Sequence, residues 1–279
     1  MYAFTRNVDE FYISATLTKV DVDEFHYGLY WRRKERGEVY FLVKDQPRQD
    51  LEPIARTLTV GGPDVEVRFA GRIEKLEWID ARRVETEFTL TLSSQDGPAM
   101  RRIQGSNAVN TIDLSRDNVR SSVRTGGADD EIRMGPQGGE VSAGSGRNTI
   151  WGRWGCDEII INAAHESTCR DHHDANLTTV KHFQTGKDKI KLLFQTSGLV
   201  SDDMQRRIDH TLAALPASAS VFDKYKAAKD VDGVEEGHVF RFRHGYHAYI
   251  GVDNEACTLI DLEPGAPFRP PGATDIVLV

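Results

Sequence analysis

The sequence predicts a mainly β fold: an N-terminal antiparallel β domain, then a parallel β-roll of nonapeptide repeats, then capping helices and a hairpin. Three observations predict it. Runs of β-branched and aromatic residues alternate with Gly/Pro/Asp clusters through the first hundred residues. From Asn107 to Ile160 the chain falls into six gapless segments of nine, each with an aliphatic at its eighth position: Leu114, Val123, Ile132, Val141, Ile150 and Ile159. Beyond residue 200 the apolar spacing becomes helical and then returns to alternation. The boundaries follow: a β-rich domain over 1–106, the roll and its flank over 107–199, and a C-terminal cap over 200–279.

In residues 1–106, FYISATLTKV (11–20) and VETEFTLTL (84–92) alternate, while FHYGLYW (25–31), EVYFLVK (38–44) and VEVRFAG (65–71) are rich in strand formers. Breaks are expected at ERGE, KDQPRQD, VGGPD and SSQDGP, with a short helix possible over 50–58. This spacing suggests an antiparallel sandwich or curled sheet. WRRKER (31–36) reads as a solvated hairpin tip. Trp31, Tyr27, Tyr30 and Tyr40 suit either a sandwich core or a sugar-stacking platform, and lone His26 suits a strand face.

Each nine-residue segment reads as a turn followed by a short strand, so two segments make one coil and the aliphatics form an inward spine. Moving the frame one segment outward puts Gly105 and Thr168 at the eighth position, which gives the repeat its edges. The copies TGGADDEIR, AGSGRNTIW and GRWGCDEII resemble the hemolysin-type calcium-binding repeats of RTX proteins, whose unit is G-G-x-G-x-D-x-U-x with U a large aliphatic. None is a perfect copy. The resemblance implies calcium between turns two segments apart, with Gly126, Gly127, Asp130, Gly144, Gly146, Asn148 and Asp157 on matching positions. Sixth-position residues are Ile112, Asp130 and Asn148 on one side, and Ser121, Gly139 and Asp157 on the other. Calcium takes six to eight oxygens. The expectation is therefore one weak site at Asp130/Asn148, or a roll kept as scaffold after losing its metal.

Downstream, TTVKHFQTGKDKIKL resembles the segment after the repeats in serralysin-type proteases, with Val180, Phe183, Gly186, Asp188, Lys189, Ile190 and Leu192 matching. Lys181, His182 and Lys191 stand where that family keeps acids, and lysine repels a cation. Between these pieces, His165, Cys169, His172 and His173 are transition-metal ligand types without zinc-site spacing. His165 and Cys169 would share a face if helical; a polar loop is the plainer reading.

SDDMQRRIDHTLAAL carries a Ser201 N-cap, early acids and Met204, Ile208, Leu212 and Leu215 on one face. A second short helix follows Ser218, and both suit capping the end of the roll. HVFRFRHGYHAYIGVDNEACTLIDL reads as a hairpin turning at Val252–Glu255, with strand alternation separating His247 from His238 and His244. The closing Asp275–Val279 resembles the uncleaved export signal of protease-type type I secretion substrates.

Net charge is −8, which argues against nucleic acid as a partner. No run is apolar enough for a membrane span, the N-terminus lacks a secretory apolar run, and three cysteines make no disulfide framework. H-E-x-x-H, G-x-S-x-G and the phosphate-cradling glycine loop are absent, so no catalytic residue is assigned. The expectation is a secreted, non-enzymatic RTX-like protein for binding or assembly, outside the cell or on its surface. Its partners would be the type I secretion apparatus and an unknown protein or glycan, its cofactor calcium in degenerate sites. The alternatives are a cytoplasmic or particle-associated scaffold with a metal-free roll, and a hydrolase with an unrecognised N-terminal site.

Overall fold

The computed structural model describes residues 10–13, 19–22, 29–33, 38–41, 57–70, 76–95, 97–163, 166–170, 173–264 and 272–279. Within them are twenty-two strands and two α-helices, so the chain is mainly β. It divides into two compact units: residues 1–141 with 153–155, and residues 142–152 with 156–279.

In the first unit, β1 (Glu10–Ile13) and β2 (Lys19–Val22) run parallel to the two halves of β5 (Thr57–Ala70). The expected antiparallel pairing is present in β2, β3 (Leu29–Arg33) and β4 (Glu38–Phe41). The rest of the expected antiparallel domain is corrected to parallel. β5 runs parallel to β6 (Trp78–Ser93) along its length. The break expected at Val60–Asp64 does not end β5, which passes through Gly61, Gly62 and Pro63 with register shifts on either side. Glycine and proline here bend a strand at a bulge without terminating it. Thr57 and Leu58, placed in a possible helix by the sequence, open β5 instead.

The first half of β6 pairs with β7 (Arg101–Gln104), and β7 with β9 (Ser121–Arg124). The second half pairs with β8 (Val109–Asp113), and β8 with β10 (Glu131–Arg133). All these pairings are parallel, and they stack two inner rows of side chains. Ile79, Ile103 and Val123 form one row; Val67, Leu90, Ile112 and Ile132 form the other, and every member is buried. Burial of each contributes about 1.5–3 kcal/mol. The unit also buries an Arg101–Asp117 ion pair, with Arg101 Nε donating to the Leu76 carbonyl at 3.0 Å. It closes with β11 (Gly138–Ser142), where Gly139 lies so close to the Ser121 carbonyl that a Cβ has no room.

All six eighth-position aliphatics are buried, but the nonapeptide frame is out of register at its start. Ile132 pairs with Ile112, not Leu114, and Val123 pairs with Ile103; each pair is twenty residues apart rather than eighteen. The edges placed at Gly105 and Thr168 also disappear, because parallel pairing continues past both. Residues added to a turn leave unchanged which strand positions face inward, so the ladder persists while the period drifts.

In the second unit, β12 (Thr149–Trp151) pairs parallel with β16 (Thr178–Phe183), and β16 with β21 (Thr258–Pro264). On a second ladder, β13 (Cys156–Ile161) pairs parallel with β17 (Lys189–Leu192), and β17 with the tail strand β22 (Ile276–Leu278). Ile150, Val180 and Leu262 form one buried row; Ile159, Ile190 and Ile276 form the other. β14 (Thr168–Arg170) and β15 (His173–Asn176) are antiparallel, so Cys169 stands on a strand and not on a helix face. His165 and His172 lie outside the described residues.

β18 (Gly198–Leu199) pairs with β19 (His238–His244), which continues antiparallel through β20 (His247–Val252) to β21. Their aromatic face receives α1 (Asp202–Ala213) and α2 (Val221–Lys229): Ile208, Leu212, Phe222 and Tyr225 pack with Phe240, Phe242, Tyr249 and Leu259. The predicted Ser201 cap forms, and the second helix, expected after Ser218, is capped two residues later at Ser220. Ser201 Oγ accepts from the Met204 N–H, and Ser220 with Asp223 makes a capping box. The Gln205 amide pairs with both backbone groups of Arg241 (2.7 and 3.1 Å), so a side chain covers the edge of β19 there.

Candidate functional site

The turns that lead into the stacked strands carry buried polar side chains, among them Asp130, Asn148 and Asp157, which the repeat resemblance marked. In the first unit, Asn110 N and Nδ2 both donate to Asp130 Oδ1 at 2.8 Å. The same Asn110 closes its own turn, with Nδ2 donating to the Ala108 carbonyl at 2.6 Å and Oδ1 accepting from the Ser106 N–H at 2.9 Å. Asn110 therefore holds the position that the nonapeptide frame gave to Ile112. Burial outweighs these hydrogen bonds and pushes the Asp130 carboxyl up to about 6.

The second unit repeats the device with acids. Asp188 Oδ1 accepts from the Asp157 N–H at 3.0 Å, and Asp188 Oδ2 from the Gln184 N–H at 2.7 Å. One carboxylate thus staples its own turn to the neighbouring one. Asp275 acts alike, accepting from Gly186 N–H at 3.0 Å and Gly272 N–H at 2.7 Å, with Lys189 Nζ at 3.3 Å. Asp157, Asp188 and Asp275 are all buried, and burial pushes Asp188 to about 6. Beside Gly152, a Cβ would lie 3.2 Å from Asp157 Oδ2 and 3.6 Å from both Asp188 Oδ2 and the His182 carbonyl. Three oxygens converge there, and His182 reaches it with a positive φ of 61°.

The marked glycines divide. Gly144 and Gly146 adopt positive φ (69° and 116°), as expected of the turn glycines. In the other turn the left-handed residue is Ala128 (φ 68°), while Gly126 instead gives passage to Asn107, whose side chain would strike a Cβ. Gly127 sits beside Ala128 in the same bend. Asn148 donates Nδ2 to the Gly144 carbonyl at 2.9 Å, closing its own turn. Lys181 and Lys191 pair with Glu263 and Glu158.

Sequence reasoning missed Asn110, Asp188 and Asp275 as turn staples. Asp188 follows Asp157 by thirty-one residues, outside an eighteen-residue search, and the Asp-Lys-Ile pattern was the available signal. It also separated His247 from His244 by strand parity. The chain turns between them, at Gly245–Tyr246, so the two histidines are register partners. Among the described residues no group of three or more His, Cys, Asp or Glu is arranged to hold a metal ion. No described helix is long and apolar enough to cross a membrane. Trp31 is in register with Tyr40 and Tyr30 with Phe41; Tyr27 and His26 lie outside the described residues.

No protein-family model and no curated protein matches this chain.

Proposed function

We propose that this chain is a secreted, non-enzymatic RTX-like β-roll protein that works by binding or assembly, with at most one weak calcium site. The observation that supports it is the pairing of parallel ladders with a buried carboxylate at successive turns, the place where the resembled family holds calcium. At Asp130 the residues do not fit calcium, because the neighbouring turn presents Asn110, which turns two N–H groups on Asp130 Oδ1 and brings no second carboxylate. Beside Gly152 they fit in part: Asp157, Asp188 and the His182 carbonyl would hold the ion, and water must complete its six to eight oxygens. Bound there, calcium would neutralise two buried acids and tighten turns already joined by protein hydrogen bonds.

Thermal melts in chelator and in millimolar calcium test this. The expected result is a chain folded in chelator, with a rise in midpoint in calcium that Asp188→Asn abolishes and Asp130→Asn preserves. Loss of the rise in Asp130→Asn alone would place the ion elsewhere.

A cytoplasmic or particle-associated scaffold is favoured by one observation. The tail read as an export signal is a strand of the fold, with Ile276 on Ile190 and Leu278 on Leu192. Removing 275–279 separates the readings: an export signal gives lost secretion, whereas a purely structural tail gives an unstable protein in any compartment.

A further inference from the structure

We propose that His244 and His247 form a two-imidazole site for a late first-row divalent transition-metal ion, with Asp261 as the carboxylate that orients His247. β19 ends at His244 and β20 begins at His247, and the two are directly paired across the tight turn at Gly245 (φ 58°) and Tyr246. Residues so opposed hold their Cβ atoms about 4.5–5.5 Å apart, so the two side chains leave the hairpin on one face.

Both rings are arranged to offer Nε2. His247 Nδ1 lies 2.8 Å from Asp261 Oδ1, so the proton belongs on Nδ1 and the Nε2 lone pair is left outward. Asp261 is buried, and the His247 ring stacks on Tyr249 at 6.2 Å, which restrains it. A metal-binding histidine commonly has this backing by a carboxylate. His244 buries its Nδ1 without a partner, so its accessible nitrogen is also Nε2.

Nitrogen donors select the class of ion. Two neutral imidazoles suit Zn²⁺, Ni²⁺ or Cu²⁺, whereas calcium takes oxygen. With Asp261 engaged behind His247, the protein supplies two ligands and solvent the rest, so binding is of modest affinity. The ion would clamp the end of the β19–β20 hairpin.

The test is titration calorimetry with Ni²⁺, then Zn²⁺, on the full chain at pH 7.5 with excess calcium present. The wild type should bind one equivalent that is lost in His244→Ala and in His247→Ala, and that weakens about tenfold in Asp261→Asn. His238→Ala should bind as the wild type, because His238 Nδ1 accepts from the Glu235 N–H at the far end of the same strand. Metal-free circular dichroism checks each fold. If His247→Ala misfolds, His244→Gln decides, since it removes the solvent-facing nitrogen on a half-exposed residue. Undiminished stoichiometry in both alanine variants, or no binding by the wild type at millimolar metal, overturns the site.

Discussion

Asp130 and Asp188 titrate against the usual direction for buried, hydrogen-bonded acids. Backbone N–H donors favour their ionised forms, yet desolvation is larger and raises both to about 6 from 3.8. The folded state therefore binds more protons than the unfolded chain between those values, so their contribution falls as pH rises through 6. Each ionised group costs the fold roughly 3 kcal/mol at neutral pH. Denaturant midpoints should accordingly be higher near pH 5 than at pH 7.5. Asp130→Asn should flatten part of that slope without losing stability at pH 7.5, because its Oδ1 still accepts from Asn110. A large loss at neutral pH would show that the charge itself is needed. Asp117 shifts the same way: it is fully buried with its partner Arg101, and burial raises its carboxyl despite the guanidinium. Arg101→Met leaves that acid alone and should cost about 3–5 kcal/mol in urea unfolding.

The helices are the elements whose ends the residues determine most directly. Ser220 and Asp223 satisfy each other's backbone N–H groups, so Ser220→Ala should lower stability by about 1 kcal/mol, readable by denaturation of the intact chain. Ile208 and Leu212 fall on the buried face that their spacing predicts, with Met204 and Leu215 packed at its margin. The hairpin was less legible. The turn expected at Val252–Glu255 falls at 253–257, and the turn at Gly245–Tyr246 was not anticipated, since His-Gly-Tyr-His lies within an unbroken aromatic alternation. One unanticipated turn inverts every parity argument downstream of it. That is why the His244–His247 pair could not be read from the chain.

For the second unit as a whole, the C-terminal residues are structural. β22 lies parallel on β17, and Asp275 joins three donors from Gly186, Gly272 and Lys189. Deleting 275–279 should expose Ile190 and Leu192, currently buried, and lower the thermal midpoint by several degrees, as ~2 kcal/mol of lost burial implies for a domain of this size. An unchanged midpoint would mean that β22 adds nothing to the fold.

The sequence by itself determined that strands recur, that one aliphatic per repeat is buried, where the first helix begins, and that aspartates sit at turns. These follow from local properties: side-chain parity, capping chemistry and glycine conformation. Only the tertiary structure decided which strands are partners. Ile112 rather than Leu114 meets Ile132, Asp157 meets Asp188, and the tail meets β17. Stacked parallel strands fix the facing of their residues but not the length of the turns between them. A ladder can therefore keep its inner rows while its period drifts from eighteen to twenty residues and more, and the polar pairs that close the turns move with that drift.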